Sequence, residues 1–253
     1  MNEVRVYSSR EDLFQAAATK FIGLAKESIQ EKDQFSVALS GGSTPRLLYE
    51  SLTKVNSLLA WDKVHLYWGD ERHVPMDHPD SNFRMVKEAL LDKINIPERN
   101  IHPVPVELDA RMAAFHYEEE LRRYHQGVWP NFDLVLLGMG LDGHTASLFP
   151  HTAGLNEEHR WFIANFIPEM CQWRLTLSKN AINAARNIQI LVSGSSKADT
   201  LAQVLANKKH PEEKPIQLIS PVDGRLVWLV DQPAASSLRN EFIEAHPEVK
   251  RIF

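Results

Sequence analysis

The chain has 253 residues, 43% hydrophobic and 24% charged, enough apolar material for a substantial core, and we predict a single domain over residues 1–253. The formal net charge of −5 and the pI of about 6.1 argue against nucleic-acid or anionic-membrane binding, since both favour basic surfaces. Cys171 is the only cysteine, and the chain has neither the apolar run of a signal peptide nor the ~20 apolar residues of a membrane span, so we expect a cytoplasmic protein.

Short apolar runs alternate with longer amphipathic runs in the first half of the chain. This alternation is typical of a doubly wound α/β fold, in which helices cover both faces of a mostly parallel sheet. The predicted strands are 4–7, 35–39, 64–68 and 132–137.

Helix starts are marked by capping residues. Ser8 and Glu11 resemble a capping box for a helix that reaches Ile29, and Pro45 suits the first turn of the next helix. A third helix is predicted over 82–91. A fourth follows Asp109 as N-cap, with an apolar stripe of Met112, Phe115 and Leu121.

The second half continues the alternation, with strands predicted over 161–167, 174–177, 188–192 and 226–230. A helix is expected to run from Lys197 to about Ala206, and a final helix after Asp231. The charged stretch 208–215 is interpreted as a solvated surface loop.

The residues of chemical interest follow strand ends, at the carboxyl edge where open α/β sheets bind ligands. The first such loop contains Gly41, Gly42, Ser43 and Thr44. Its glycines let backbone N–H groups turn inward, its hydroxyls add donors, and the next helix N-terminus favours an anion. We interpret the loop as a phosphate site, with a tight capped turn as the structural alternative.

Gly138, Gly140 and Gly143 match the dinucleotide-binding fingerprint after a strand. That fingerprint needs an acidic residue ending the next strand, whereas Glu157 and Glu158 lie in a polar segment before the next apolar run. We therefore expect no nicotinamide cofactor.

Asp142 and His144 lie within the same glycine turn. An exposed imidazole there could take a proton from water, with the carboxylate orienting it or positioning the substrate. In the alternative interpretation, both side chains only cap the turn.

Three cations also stand at strand ends or starts: Arg72, Arg174 and Lys197. The planar guanidinium of Arg72 can hold phosphate with two hydrogen bonds, and Lys197 supplies a point charge. Asp70 is a weaker candidate beside them. Each cation alone would more often be a surface residue, but their shared placement favours an anion site.

Metal and covalent mechanisms find no support in the sequence, which has no His-Glu-x-x-His, no cysteine pair and no Gly-x-Ser-x-Gly elbow. Direct attack by water remains. His65, His102 and His125 are interpreted as ordinary core or surface residues, and the sequence gives no indication of oligomeric state.

Three segments together resemble the 6-phosphogluconolactonase branch of the glucosamine-6-phosphate isomerase/6-phosphogluconolactonase family. They are Ser40-Gly41-Gly42-Ser43-Thr44-Pro45, the stretch 68–75 with Asp80-Ser81-Asn82, and 138–150, which ends in Ser147-Leu148-Phe149-Pro150. The resemblance covers nearly the whole chain. It implies a Rossmann-like fold, cofactor-free hydrolysis of a sugar-phosphate lactone, and the second step of the oxidative pentose phosphate pathway.

The resemblance also implies residue roles. His144 corresponds to the general base and Asp142 to its partner, with phosphate or sugar bound by the remaining candidates, Gly41, Gly42, Ser43, Thr44, Asp70, Arg72, Arg174 and Lys197. Relatives usually carry a proline-rich segment before the corresponding arginine, and residues 170–173 depart from it. This departure affects the expected shape of the loop and the role of Arg174.

Two other functions are compatible with these residues. A sugar-phosphate deaminase or isomerase on the same scaffold would carry an acid where this chain has Phe149. A non-catalytic sugar-phosphate-binding regulator would keep the cations without needing His144.

Overall fold

The computed structural model describes residues 2–206, 208–238 and 249–252. Eight strands form one sheet in the order β11-β1-β10-β9-β6-β2-β3-β5, and every pairing in it is parallel. The α/β prediction is confirmed. The strands are β1 (Asn2–Tyr7), β2 (Phe35–Leu39), β3 (Val64–Trp68), β5 (Ile101–His102), β6 (Leu134–Gly138), β9 (Asn187–Val192), β10 (Arg225–Asp231) and β11 (Val249–Ile252).

Helices connect these strands: α1 (Arg10–Lys32), α2 (Ser43–Lys54), α3 (Asn82–Ala89), α4 (Ala110–Tyr124), α5 (Lys179–Asn183) and α6 (Ala198–Leu205). Parallel crossovers are right-handed, so α1 and α2 cover one face while α4 and α6 cover the other. The central strands are mostly apolar because both faces of the sheet are covered, and all five residues of β2, Ser36 included, are buried.

The direction of the crossovers reverses between β2 and β6, which are neighbours in the sheet. The chain leaves β2 toward β3 on one side and leaves β6 toward β9 on the other. The loops that follow β2 and β6 therefore open a crevice at the carboxyl edge, the usual ligand position in such sheets. These are the two glycine loops of the sequence analysis.

A second, antiparallel sheet was not predicted. It contains β4 (Asp70–Arg72), β8 (Gln172–Leu177) and β7 (Phe162–Ile167), in the order β4-β8-β7. Residues 70–72 were interpreted as a charged strand end or turn, yet Asp70 and Glu71 are buried because β4 pairs with β8. This small sheet forms one wall of the crevice.

Several local predictions need correction. The N-cap of α1 is Ser9, not Ser8, because the Ser9 side chain accepts from the Asp12 N–H. Met112 and Phe115 are 44% and 43% exposed, so they do not lie on the buried stripe of α4. Residues 232–238 form turns, and the remainder of the final helix predicted after Asp231 falls on 239–248, outside the described residues.

No helix in the described ranges is long and apolar enough to cross a membrane.

Candidate active site

Side chains from two helices hold the loop after β2 in place: Tyr49 of α2 and Asn82 of α3. The Tyr49 hydroxyl accepts from the Ser40 N–H at 3.0 Å and donates to the Ser40 carbonyl at 2.8 Å. A Cβ on Gly41 would lie 1.8 Å from Oδ1 of Asn82, so only glycine fits there. Gly42, with φ of 99°, is the N-cap of α2 and supplies no side-chain cap, which leaves the first N–H groups of that helix available to an anion.

The loop after β6 is a closed turn built on glycine. The Gly140 N–H donates to the His144 carbonyl at 2.8 Å, and the Thr145 hydroxyl donates to the Gly138 carbonyl at 2.8 Å. A Cβ on Gly140 would lie 2.2 Å from Nδ1 of His144. Glycine at position 140 therefore allows the imidazole to fold back over its own turn.

His144 and Asp142 form a direct pair, with His144 Nδ1 2.6 Å from Asp142 Oδ1. Burial raises the pKa of Asp142, but hydrogen bonds from His144 and the imidazole's charge outweigh burial and hold that pKa below its ordinary value. Because an ionised carboxylate can only accept, the proton of neutral His144 lies on Nδ1, and Nε2 carries the free lone pair. The pair is arranged as a general base with an orienting carboxylate.

Phe149 stacks on His144, with ring centroids 4.0 Å apart and planes inclined by 23°. The Phe149 side chain is largely buried, whereas 29% of the His144 side chain is exposed. Stacking and the bond to Asp142 together set the plane of the imidazole.

The two glycine loops and the small sheet enclose a cleft of about 470 Å³. It brings together all but one of the predicted site residues, and Met170 also lines it. The predicted residues in its wall are Gly41, Gly42, Ser43, Thr44, Asp70, Arg72, Asp142, His144 and Lys197.

Two cations of the cleft are free of ion pairs within the described residues. Arg72 donates from Nη1 to the Asp80 carbonyl at 2.5 Å, which leaves its other donors available. Lys197 is the N-cap residue of α6, and partial burial lowers its pKa although Asp142 nearby raises it. Arg72 lines the cleft together with the N-terminus of α2, which makes that part of the cleft attractive to a phosphate.

Arg174 is the predicted residue that does not line the cleft. It lies opposite Arg72 in the β4–β8 pairing, and its Nη2 contacts Sδ of Met170 at 3.4 Å. Burial and the adjacent Arg72 charge lower the pKa of Arg174. Met170 therefore lines the cleft and also contacts Arg174.

Sequence reasoning missed the role of Glu71. Its carboxylate accepts from the backbone N–H groups of Arg72, Asn82 and Phe83 at 2.7–2.8 Å, so it ties β4 to the start of α3. Burial raises its pKa to about 7, in spite of these hydrogen bonds. A capping contact across eleven residues has no local pattern from which it could be predicted.

The segment 208–215 is more than the solvated loop that was expected. The Ile216 N–H donates to the Gly143 carbonyl at 3.0 Å, and the Lys214 ammonium donates to the Asp142 carbonyl at 3.3 Å. The aliphatic chain of Lys214 would be 2.6 Å from a Cβ on Gly143. The turn that carries Asp142 and His144 is thus packed against a distant part of the chain.

Across residues 2–206, 208–238 and 249–252, no group of three or more His, Cys, Asp or Glu side chains could hold a metal ion.

Comparison with known proteins identifies the family of the chain. Residues 8–228 match the family described as glucosamine-6-phosphate isomerases/6-phosphogluconolactonase. The chain is 43% identical to a 6-phosphogluconolactonase of Synechocystis sp. over 241 residues, 94% of this chain and 98% of the relative. It is 36% identical to a probable chloroplastic 6-phosphogluconolactonase of Oryza sativa subsp. indica, over 92% of this chain and 75% of the relative.

Among solved structures, 6-phosphogluconolactonase from Trypanosoma brucei superposes with a TM-score of 0.84 at 30% identity, covering 94% of this chain and 99% of that one. The chain therefore belongs to the glucosamine-6-phosphate isomerase/6-phosphogluconolactonase family.

Proposed function

We propose that this protein is a 6-phosphogluconolactonase, which hydrolyses 6-phospho-D-glucono-1,5-lactone to 6-phosphogluconate in the pentose phosphate pathway. Its main support in the site is the His144–Asp142 pair, which faces a cleft that also holds an anion-binding helix N-terminus and Arg72. A base at one end and a phosphate anchor at the other match a lactone that carries a phosphate remote from its carbonyl.

The first chemical step is proton transfer at His144. Nε2 takes a proton from water, and the resulting hydroxide attacks the C1 carbonyl to give a tetrahedral oxyanion. Collapse of that intermediate breaks the bond between C1 and the ring oxygen. The proton on Nε2 passes to the departing ring oxygen, which becomes the C5 hydroxyl, and the new carboxylic acid ionises.

Charge on the tetrahedral oxyanion needs a donor or a cation beside it. The Gly140 and Gly143 N–H groups are already used within the turn, by the His144 and Gly140 carbonyls. Lys197 lines the same cleft as Asp142 and His144, although burial lowers the pKa of its ammonium overall. We therefore assign the oxyanion to Lys197, the cleft cation that interacts with Asp142.

Phosphate is assigned to the other end of the cleft. Its ligands are the N–H groups at the start of α2, the Ser43 and Thr44 hydroxyls and Arg72. Binding energy from this remote group orients the carbonyl toward the activated water. Arg174 is left out of the anchor, because it contacts Met170 and does not line the cleft.

The deaminase or isomerase alternative is disfavoured by Phe149. An aromatic ring stacks on His144 where a deaminase would carry an acid to move a proton at the ring or the amine. The regulator alternative gives no reason for an oriented His144–Asp142 pair inside the cleft.

The proposed lactonase function also guides the assignment of domain, substrate, cofactor and location. We propose one domain over residues 1–253, a small-molecule sugar-phosphate substrate, and no requirement for a cofactor. A cytoplasmic location is proposed from the lone, exposed Cys171. Because a rice relative is named as chloroplastic, cell fractionation should test this location.

The decisive experiment is a lactonase assay on freshly generated 6-phosphogluconolactone, corrected for spontaneous hydrolysis. We expect turnover far above background, little turnover of unphosphorylated gluconolactone, and no ammonia from glucosamine 6-phosphate. Ammonia release without lactonase activity would favour the deaminase. Tight binding of 6-phosphogluconate without turnover of either substrate would favour the regulator.

A further inference from the structure

Ser147 lies three residues after His144, in the loop that carries the catalytic pair, and is only 2% exposed. Its N–H donates to the Thr176 hydroxyl at 3.2 Å, and its carbonyl accepts from the Asn165 side chain at 3.0 Å. These two bonds fasten the catalytic loop to β8 and β7 of the small sheet. The preceding residue, Ala146, has a φ of 47°, so the loop is held in a backbone conformation that alanine rarely adopts.

The third bond of Ser147 reaches the cleft wall. Its hydroxyl donates to Oδ2 of Asp70 at 2.7 Å, across 77 positions of sequence. Asp70 is 6% exposed and lines the cleft, and its own carbonyl accepts from the Asn82 side chain at 2.9 Å. Within the described part of the chain, Oδ1 of Asp70 makes no hydrogen bond.

A carboxylate with one oxygen fixed and the other unused is a pre-oriented acceptor. It favours a neutral hydroxyl donor over an anion, since a phosphate beside it would be repelled. In a sugar lactone the donors of this kind are the ring hydroxyls. The cations of the cleft remain available for the phosphate and the oxyanion.

We propose that Asp70 accepts a hydrogen bond from one ring hydroxyl of the lactone, and that Ser147 is the positioning residue that aims this carboxylate. The inference rests on the proposed lactonase function and deepens it by naming the residue that recognises the sugar ring. Because Ser147 belongs to the same loop as His144, the contact also sets the ring relative to the base.

The chain offers a matched control at the opposite edge of the sheet. Ser36, at the start of β2, donates from its hydroxyl to Oδ2 of Asp133 at 3.0 Å, and both side chains are buried. Neither residue lines the cleft. Ser36→Ala therefore removes the same kind of buried Ser–Asp bond without touching the site.

The test measures kcat/KM on 6-phosphogluconolactone and on its 2-deoxy, 3-deoxy and 4-deoxy analogues, for the wild type, Ser147→Ala, Asp70→Asn and Ser36→Ala. On the parent lactone we expect losses of at least ~10-fold for Ser147→Ala and Asp70→Asn, the size expected for a hydrogen bond to a charged group. With one of the three analogues, the loss should shrink to within about 2-fold of the wild type. Ser36→Ala should behave as wild type on all four lactones.

Urea unfolding separates this effect from simple destabilisation. If Ser147→Ala proves too unstable to assay, Asp70→Asn, which keeps the shape of the side chain, carries the test alone. An equal penalty on all four lactones, in whichever variant is assayed, would overturn this inference and leave the lactonase assignment standing. Absence of wild-type turnover on the parent lactone would overturn the proposed function, and this inference with it.

Discussion

The molecule contains two histidine–carboxylate pairs of nearly the same length in very different surroundings. In the cleft, Nδ1 of His144 lies 2.6 Å from Asp142, and Nε2 has no partner among the described residues. On the sheet, Nδ1 of His102 lies 2.8 Å from Glu120, but its Nε2 is 3.1 Å from Nδ1 of His65.

The second pair is also sealed by aromatic rings. Tyr67 stacks on His102 at 4.3 Å, Tyr124 meets it edge-on at 4.6 Å, and only 3% of the His102 side chain is exposed. An imidazole with both nitrogens bonded and no access cannot take a proton from water. The accessible second nitrogen, rather than the pair itself, separates a candidate base from a structural network.

The largest effect should come from removing the cleft imidazole. His144→Ala is expected to lower the lactonase rate by at least ~10²-fold, since general base catalysis contributes that much. His65→Ala, which disturbs the other network, should change the rate by less than about 3-fold. Turnover is measured on 6-phosphogluconolactone and folding by circular dichroism, and a folded His144→Ala variant with full activity would remove His144 from the mechanism.

The phosphate anchor comes next in size. Arg72→Ala should lower kcat/KM for the phosphorylated lactone by ~10–100-fold, because a hydrogen bond to a charged group is worth about 1.5–3 kcal/mol, and 1.4 kcal/mol is tenfold. The plain lactone, which lacks the phosphate, should be affected far less. Lys197→Ala should slow both lactones, because its charge serves the reacting carbonyl.

Arg84→Ala is the control for a lost guanidinium, since Arg84 pairs with Glu88 on the surface of α3 and does not line the cleft. Equal penalties on both lactones for Arg72→Ala would show that Arg72 serves the carbonyl or the fold. A bias toward the phosphorylated lactone in Lys197→Ala would move Lys197 to the phosphate.

The same amide substitution in the two carboxylates sharpens the comparison. Asp142→Asn should reduce turnover by at least ~10-fold, because an amide can donate to Nδ1 and so leave the proton on the wrong nitrogen. Glu120→Gln changes the equivalent partner of His102 and should leave turnover unchanged. Similar losses in both variants would mean that these carboxylates act through the stability of the fold.

The smallest expected effect is on the pH dependence of the unfolding free energy, through His125 near the His102–Glu120 pair. Burial, with a contribution from the Lys32 charge, lowers the pKa of His125 to about 4, so folded His125 stays neutral where the unfolded chain takes up a proton. As the pH falls from 7.5 to 5, this difference should cost about 2 kcal/mol of unfolding free energy. His125→Phe removes the titrating group, so its stability should depend less on pH over that range. Urea unfolding at both pH values measures the difference, and parallel pH dependence in the two proteins would contradict it.

How far the sequence predicted the molecule depended on the range of the interactions involved. The bounds of β2 and β3 were predicted to the residue because each is a short, mostly apolar run flanked by polar residues or glycine. The small sheet was not predicted, since three charged residues in β4 resemble an exposed turn until β8, about a hundred residues later, pairs with them.

Prediction of the candidate site also depended on how far apart in sequence the interacting residues lie. His144, Asp142 and the Gly41–Gly42 loop stand in short motifs whose chemistry is local, and the cleft brings them together. The Ser147–Asp70 bond and the Glu71 contacts with α3 join residues from different elements, so no spacing in the sequence indicates them. Arg174 was expected beside the ligand, but its guanidinium contacts Met170 and does not line the cleft.

The position of β1 in the sheet bears on how the protein is made. β1 pairs with β10 on one side and β11 on the other, so that Asn2 lies beside Leu226 and Val4 beside Val249. Neither edge of β1 can therefore be covered until β10 or β11, both far along the chain, has been synthesised. Pairing across such separations slows folding and leaves strand edges exposed in the meantime. Until β10 and β11 pair with it, β1 has both edges open to association with another chain.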